Sequence, residues 1–227
     1  MAISTVIQSI RKMFRKIVTK PNDQFPGSEQ YWIQRYAENG NSGAGSYDKL
    51  AEFKADILNN FVAHKGIESI IEYGCGDGNQ LKFSKYPKYI GFDVSEHAIK
   101  RCNALFTDDH TKSFKLISEY SGEVAQLTLS LDVIYHLIED SVFLKYMEIL
   151  FKSSTKYTIV YSSNTNDQFS NQSKHVRNRL FSDWISSNMS DWTLIERISN
   201  PYPYTGDHKV GSFADFYVYA KRGVLTS

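Results

Sequence analysis

The stretch IIEYGCGDGNQL, residues 70–81, places three glycines within five positions directly after a run of strand-forming residues. Glycine costs backbone entropy, so such a cluster indicates a tight turn or a close approach of the backbone to a ligand. Glu72 precedes the first glycine, and Asp77 lies inside the loop. A dinucleotide-binding loop would place its third glycine one residue later, and carboxylates are poor neighbours for a pyrophosphate. The loop therefore favours a ligand that carries a positive charge.

A second acidic residue follows the next strand-forming run of the sequence. Residues 88–92 (KYIGF) form that run, and Asp93 comes directly after it, about 20 residues beyond Glu72. An acid at the end of the second strand of a parallel sheet is placed to accept hydrogen bonds from a ribose diol. A cofactor with a ribose, a positive charge and no phosphate is S-adenosylmethionine (SAM), which we predict as the ligand of this loop.

These stretches resemble the cofactor motifs of a known family. IIEYGCGDG followed by YIGFDVS resembles motif I and the acidic second-strand motif of class I SAM-dependent methyltransferases, and LTLSLDVIYHLIED is similar to their fourth-strand motif. The resemblance covers residues 67–162. It implies that the methionine part of SAM approaches the glycine backbone, that Glu72 organises the loop or attracts the amino group, and that an acid after the third strand lies near the adenine. The predicted cofactor residues are Glu72, Gly74, Gly76, Asp77, Asp93 and Glu119.

The alternation of strands and helices predicts the fold. Strand-forming runs occupy residues 69–73, 88–92, 113–117, 127–132 and 157–162, and helical patterns occupy residues 47–64, 95–106, 139–151 and 175–188. Such alternation indicates a mostly parallel sheet covered on both faces. Two β-rich stretches, 192–198 and 212–220, have no helix between them and predict a hairpin. We therefore predict an α/β protein with a Rossmann-like, doubly wound, mostly parallel sheet, an antiparallel C-terminal strand and additional N-terminal helices.

The N-terminal part divides into an arm and a lid. Residues 1–27 are predicted as an arm, in which residues 3–19 form a basic amphipathic helix. This helix either packs on the domain or on a second subunit, or it contacts an anionic membrane surface. Residues 28–227 are predicted as the catalytic domain. Their first part, residues 28–47, combines an aromatic segment with a loop rich in Gly, Ser and Asn, and we predict that it covers the cofactor.

Polar residues after the fourth strand are placed to face the methyl group. Asp132, Tyr135 and His136 follow that strand. His136 is the best candidate for a general base, although it would equally suit the cap of the next helix, and Asp132 either takes part in catalysis or fixes the loop. Tyr135 is predicted to contact the substrate. Amino-methylating nucleic-acid enzymes of the resembled family carry an Asn/Asp-Pro-Pro-aromatic motif here, which this chain lacks.

A basic cluster, KHVRNR, follows the fifth strand at residues 174–179. Its arginine forks at a helix start would bind a phosphate or carboxylate of the methyl acceptor. The alternative is a solvated basic helix face. Arg177 and Arg179 are the predicted substrate ligands, with Arg177 preferred because positions two apart diverge on a helix. His175 is predicted beside them as a hydrogen-bond donor or base.

Net charge, cysteine content and hydropathy predict the compartment and the partners of the protein. The formal net charge of +1 argues against a nucleic-acid partner. Cys75 and Cys102 are too few for a disulfide framework or a zinc site, so we predict no metal and a reducing compartment. No apolar run approaches the length of a membrane span. We expect a cytoplasmic protein, either free or at the inner face of the membrane through residues 3–19.

Two further stretches of the sequence bear on the identity of the methyl acceptor. Segments including NSGAGSYDKLAEFKA and HVRNRLFSDWI are similar to small bacterial methyltransferases associated with cell-surface polysaccharide synthesis. This similarity implies a sugar, a sugar phosphate or a related phosphorus-bearing group as acceptor. We therefore predict O-methylation of a small anionic or sugar-linked molecule. The alternatives are N-methylation of a small amine and a SAM-binding partner module without catalysis.

Overall fold

The computed structural model describes residues 25–168 and 172–224. The helices are α1 (Ser28–Ala37), α2 (Asp48–Lys65), α3 (Glu96–Leu105), α4 (Asp140–Lys152) and α5 (Phe181–Asn188). The strands are β1 (Ile70–Tyr73), β2 (Tyr89–Asp93), β3 (Lys112–Leu116), β4 (Ala125–Leu131), β5 (Ser154–Ser162), β6 (Trp192–Ile198) and β7 (Asp215–Lys221). Residues 1–24, which include the predicted amphipathic helix, lie outside the described residues.

The strands form one seven-stranded sheet in the order β3-β2-β1-β4-β5-β7-β6. Neighbouring strands from β3 to β5 are parallel, whereas β7 is antiparallel to both β5 and β6. The predicted doubly wound sheet with its antiparallel C-terminal strand is therefore confirmed. The direction of winding changes between β1 and β4. In open parallel sheets, ligands bind at the carboxyl ends of the strands beside such a change.

Helices cover both faces of the sheet. On one face, Leu58 and Val62 of α2 pack in the same buried cluster as Cys102 of α3. On the other face, Met147 of α4 and Phe181 of α5 belong to a second buried cluster. The central strands β1, β4 and β5 are largely buried on both faces, as expected for parallel strands between two helix layers. The site at the end of β1 therefore lies on central strands that helices cover on both faces.

Two helix starts differ from the predictions. The helix expected from about residue 175 begins only at Phe181, because the side chain of Asn178 accepts a hydrogen bond from the Ser163 hydroxyl and donates one to the carbonyl of Asp167, which holds this stretch in a non-helical path. The helix predicted from residue 47 begins at Asp48, after a short 3₁₀ turn that ends at Ser46, and it has no side-chain cap. Gly66 ends α2 in the left-handed conformation, with a φ of 58°.

No helix in the described ranges combines the length and the apolar character that crossing a bilayer requires. The predicted contact of residues 3–19 with a membrane or a second subunit falls outside the described ranges and stays a prediction.

Candidate active site

A cavity of about 400 Å³ opens at the carboxyl ends of β1, β2 and β4. Ligand pockets range from roughly 300 to 1,000 Å³, so this volume suits one small molecule. Its wall includes the glycine loop, the loop after β4 and part of α1. The cavity therefore lies where the sheet topology and the glycine motif both place a ligand.

The glycine loop depends on backbone conformations that other residues rarely adopt. Gly74, Gly76 and Gly78 have φ angles of 83°, 59° and 76°. The N–H groups of Gly74 and Cys75 both donate to the carbonyl of Phe92, at 2.7 and 3.1 Å. A Cβ atom on Gly74 would lie 2.5 Å from Val133 Cγ2. The loop is therefore folded tightly against β2 and the loop after β4, with its backbone facing the cavity.

Asp93 supports this loop and also lines the cavity. Its Oδ2 accepts the Gly76 N–H at 3.0 Å, and its Oδ1 accepts the Ser95 N–H at 2.9 Å. Burial raises the pKa of Asp93 to about 6, although hydrogen bonds from Ser95 and Gly76 oppose the shift. Each carboxylate oxygen keeps a second acceptor position. Asp93 can therefore hold the loop and accept a ligand hydroxyl at the same time.

Glu72 is a buried carboxylate in the cavity wall. The hydroxyl of Tyr89 donates to its Oε2 at 2.7 Å. Burial raises the pKa of Glu72 to about 7, and the Tyr89 bond and the charge of Lys54 limit the rise. A bound cation would favour the charged form of this carboxylate. The wall next to Gly74 is thus suited to a positively charged group.

Two predicted cofactor acids have other partners. The Oδ2 of Asp77 accepts the Ser42 N–H at 3.0 Å and the Tyr47 hydroxyl at 2.8 Å, so this carboxylate ties the glycine loop to the N-terminal segment and does not line the cavity. Glu119 is exposed, and its carboxylate accepts the Leu116 N–H at 2.7 Å. The chain places Ile117 in the cavity wall instead. Direct cofactor contacts predicted for both acids are therefore corrected.

Asp132 has both carboxylate oxygens engaged. Lys54 Nζ lies 2.6 Å from Oδ2, and the Tyr135 hydroxyl donates to Oδ1 at 2.7 Å. Burial, followed by the Asp132 charge, raises the pKa of Tyr135, so this hydroxyl remains a donor. Asp132 lines the cavity, whereas Tyr135 does not. This pairing favours the role of fixing the loop for Asp132, and the predicted contact of Tyr135 with the substrate stays a prediction.

Lys54 is a site residue that the sequence prediction missed. Its side chain is fully buried and lines the cavity. The signal was present, because Leu50, Lys54 and Leu58 follow one another at four-residue spacing on the apolar face of α2. A lysine is almost never fully buried unless it is paired. Its place in that stripe therefore indicated a buried partner.

His136 lines the cavity, and one of its ring nitrogens is held by the backbone. Its Nδ1 lies 2.8 Å from the carbonyl of His175. A carbonyl only accepts, so Nδ1 carries the proton and Nε2 is the acceptor in the neutral ring. Burial lowers the pKa of His136 to about 4, which keeps the ring neutral at physiological pH. His136 is therefore suited to accept a hydrogen bond from a hydroxyl in the cavity.

His175 contributes to the site through its backbone. Its ring stacks on Tyr31 with centroids 4.5 Å apart, and its carbonyl fixes the tautomer of His136. The edge of Trp32 also packs against His136, with centroids 4.9 Å apart. His175 does not line the cavity. Its predicted role as donor or base is corrected to one of holding His136 in place.

Arg177 and Arg179 lie outside the cavity. Arg177 donates to the carbonyl of Ile138 at 2.7 Å. Arg179 donates to the carbonyls of Leu137 and Ile138 at 3.1 and 2.9 Å and pairs with Asp140 at 2.5 Å. Because residues 175–180 are not helical, the guanidinium groups of Arg177 and Arg179 both lie at the start of α4. The contacts of both arginines brace the loop after β4, and their predicted binding of an anion stays a prediction.

Replacing Arg179 with alanine is expected to destabilise the fold and to leave cofactor binding unchanged. Its side chain is 11% exposed, and its loss leaves the carbonyl of Leu137 without its side-chain donor, whereas the carbonyl of Ile138 keeps Arg177. Unpaired buried groups cost about 1–3 kcal/mol, so the urea midpoint should fall accordingly. The control is Arg177→Ala, since Arg177 is 42% exposed and should matter less. A stable Arg179→Ala protein that has lost cofactor affinity would contradict the brace.

The N-terminal segment, residues 28–47, covers part of the cavity. Trp32 and Tyr36 of α1 and Ser42 of the following loop line the wall. Arg101 of α3 anchors the segment, because its guanidinium donates to the carbonyls of Gly40 and Tyr36 at 2.6 and 2.9 Å. The predicted role of the segment as a lid stays a prediction.

A second anchor holds the start of α1. The hydroxyl of Ser28 donates to Glu139 at 2.6 Å, and its N–H donates to the same carboxylate at 3.0 Å. The Ser28 oxygen also accepts the N–H of Ile138 at 2.8 Å. The sequence prediction did not identify Glu139 or Arg101, because both act on segments distant in the chain. The cover over the cavity is thus fixed at both ends.

The described parts of the chain contain no group of three or more His, Cys, Asp or Glu side chains placed to hold a metal ion. The acceptors in the cavity wall suit an organic cation with hydroxyl groups: Glu72 would face the positive charge, and Asp93 would accept hydrogen bonds from the hydroxyls. The residues present therefore fit the predicted cofactor.

The chain matches no protein-family model and no curated protein. Among solved structures, it is similar to the N-methyltransferase NodS from Bradyrhizobium japonicum in complex with S-adenosylhomocysteine (SAH), with a TM-score of 0.65 and 15% identity over 86% of this chain and 98% of NodS. Magnesium protoporphyrin IX methyltransferase (ChlM) from Synechocystis with bound SAM gives 0.61 and 10% identity over 88% and 100%. The [4+2]-cyclase SpnF gives 0.62 and 12% identity over 87% and 97%.

These similarities define the class of fold. The sheet order, the glycine loop after β1 and the acid after β2 together give the Rossmann-like fold of class I SAM-dependent methyltransferases. One of the matched structures is a cyclase. The fold alone therefore does not define the reaction. The reaction must be inferred from the side chains that line the cavity.

Proposed function

We propose that this protein is a SAM-dependent methyltransferase acting on a small molecule. The observation that carries the proposal is the convergence of the glycine loop, Glu72 and Asp93 on one covered cavity. The loop backbone would accept the methionine part of the cofactor, Glu72 would face its positive end, and Asp93 would accept its ribose hydroxyls. When bound, SAM supplies an electrophilic methyl group.

The residues around the cavity support transfer rather than binding alone. Methyl transfer requires the acceptor atom to lie about 3 to 3.5 Å from the methyl carbon, in line with the bond that breaks. His136, Trp32 and the covering segment enclose the space beside the loop after β4. A covered space excludes water and holds an acceptor in one orientation. A binding module without catalysis would not need this second, shaped wall.

The acceptor that we propose is a hydroxyl group of a small, sugar-linked molecule. The support is His136, whose Nε2 can accept a hydrogen bond from that hydroxyl because Nδ1 already carries the ring proton. The imidazole of His136 is neutral because its pKa is lowered, so it does not repel a protonated amine. N-methylation of a small amine is therefore the second candidate. An anionic acceptor has less support, because Arg177 and Arg179 donate to the carbonyls of Leu137 and Ile138. The sugar-linked part rests on the similarity to enzymes of surface polysaccharide synthesis.

The proposed setting is the cytoplasm, with a small-molecule substrate and no nucleic-acid partner. Cys75 and Cys102 are both free and buried, as in a reducing compartment. The near-neutral net charge supports the absence of a nucleic-acid partner. Residues 3–19 are proposed to contact either a membrane surface or a second subunit, on the basis of their basic amphipathic pattern.

Two measurements test the proposal. Calorimetry should show binding of SAM and SAH by the purified protein. Incubation with methyl-labelled SAM and extracts of cell-surface sugars and nucleotide sugars should then yield a labelled product, and mass spectrometry should locate the added methyl on oxygen. Binding without transfer to any extract would favour the partner module, whereas a labelled amine would favour the second candidate. A purified protein that binds neither SAM nor SAH would overturn the proposal.

A further inference from the structure

Lys54 has more hydrogen-bonding capacity than its described partner uses. Its fully buried side chain lines the cavity, and its ammonium donates to Asp132 at 2.6 Å. An ammonium group carries three N–H donors, and within residues 25–168 and 172–224 no second hydrogen bond of Lys54 Nζ is formed. The ring of Tyr161 lies on another side, 5.3 Å from Nζ. A buried cation with unused donors is therefore present in the wall.

Gln80 presents the complementary group. Its side chain is 7% exposed and lines the same cavity. Its Nε2 donates to the carbonyl of Ala51 at 2.9 Å, and because a carbonyl only accepts, this bond fixes which end of the amide is the oxygen. Among the described residues, Gln80 Oε1 is buried without a hydrogen-bond partner. Buried acceptors without partners are uncommon, so we expect a ligand in the cavity to donate a hydrogen bond to this oxygen.

Lys54 and Gln80 belong to one end of the cavity. Ala51, which holds Gln80, lies three residues before Lys54 and so on the same face of α2. Glu72 is close enough for the Lys54 charge to lower its pKa against the effect of burial. This end of the cavity therefore offers a cationic donor, a neutral acceptor and an anionic acceptor. An α-amino acid group, with one carboxylate and one ammonium, is complementary to that set.

We propose that Lys54 and Gln80 bind the amino-acid end of the cofactor. The Lys54 ammonium donates to the α-carboxylate, and Gln80 Oε1 accepts from the α-ammonium together with Glu72. Lys54 then stands between two carboxylates, that of Asp132 and that of the ligand, which uses the donors that the protein leaves free. This inference rests on the proposed function, because it assigns residues to the same ligand.

The test compares two ligands that differ in their amino-acid end. SAH carries it, whereas 5′-methylthioadenosine has the same nucleoside and thioether without it. Lys54→Met alone would leave the buried Asp132 carboxylate unpaired, so the variant of choice is Lys54→Met with Asp132→Asn, and Asp132→Asn alone is its reference. Asn tolerates the φ of 59° at this position. Gln80→Leu removes the acceptor independently.

Calorimetry should show that the double variant binds SAH about 10- to 100-fold more weakly than Asp132→Asn, the loss expected for one hydrogen bond to a charged group. Gln80→Leu should also weaken SAH binding. Affinity for 5′-methylthioadenosine should be unchanged in both. Lys65→Met, the same change at the end of α2, is the matched control and should bind both ligands like the parent.

Three outcomes would overturn the inference. Unchanged SAH affinity in the double variant would remove Lys54 from the amino-acid end. Equal losses for both ligands would mean that Lys54 and Gln80 shape the cavity without recognising that end. Failure of the parent protein to bind either ligand would overturn the proposed function itself, and the inference with it, so the two failures are distinguishable.

Discussion

The Gly76→Val variant is expected to bind no measurable SAM or SAH while keeping its fold. Gly76 has a φ of 59°, a region in which a β-branched residue is strained by about 1–3 kcal/mol. A Cβ at this position would collide with Ser42 Oγ and lie 2.8 Å from the Tyr36 hydroxyl. The branched side chain must therefore displace the covering segment or fill the space next to the loop backbone, and either change removes the site.

Gly122→Val is the matched control for this prediction. Gly122 also has a positive φ, of 104°, but a Cβ there meets no atom within 4 Å. Both variants carry backbone strain, so their urea unfolding curves should shift in the same direction, whereas only Gly76→Val should lose ligand binding in calorimetry. Retention of parental SAH affinity in a folded Gly76→Val protein would show that the glycine loop is not the cofactor site.

Replacing Asp93 with alanine is expected to weaken SAH binding by about 10- to 100-fold or more. A hydrogen bond to a charged acceptor contributes about 1.5–3 kcal/mol, and each 1.4 kcal/mol is tenfold in affinity. The loss has a second source, because Asp93 also accepts the N–H groups of Gly76 and Ser95 that hold the loop. Asp56→Ala, which removes an exposed acid from α2, should bind SAH like the parent.

The pH dependence of binding separates the two roles of Asp93. Burial raises its pKa to about 6, and the ionised form is the stronger acceptor for ribose hydroxyls. SAH affinity in the parent should therefore rise as pH increases from about 5 to 7. Asp93→Ala should lose that part of the rise. A parental pH profile in the variant would leave Asp93 as a support of the loop without contact to the ligand.

The stability of the protein without ligand should change in the opposite direction. A carboxyl whose folded pKa is raised stabilises the fold at low pH, and this contribution is lost as pH rises through the folded value. For Asp93 and Glu72 these values are about 6 and about 7. Between pH 5 and pH 7 the free energy of unfolding contributed by these two groups should therefore fall, and bound ligand should offset the loss.

Features that depend on short stretches of chain could be predicted from the sequence. The glycines at 74, 76 and 78 supply positive φ angles that a local turn requires, and Asp93 follows a strand whose length and composition are local as well. The order of strands and helices follows from the same local periodicities, and with it the sheet that the structure contains. The cofactor end of the site therefore follows from local sequence patterns.

The partners of charged side chains were decided by tertiary contacts. Asp132 meets Lys54 across 78 positions of sequence, and Arg179 reaches the carbonyl of Leu137 across 42. A basic cluster has the same composition whether it clamps a ligand or braces a loop, and only the positions of nearby carbonyls distinguish the two.

Sequence and tertiary structure determined different features of this protein, because some features depend on local chain conformation and others on contacts between distant segments. By itself, the sequence determined the fold class, the glycine loop and the acid that follows β2, because backbone conformation and strand periodicity are local properties of a chain. Only the tertiary structure decided that Asp77 holds the covering segment and that His136 offers Nε2 to the cavity. Hydrogen bonds and burial depend on groups that the fold brings together from distant segments.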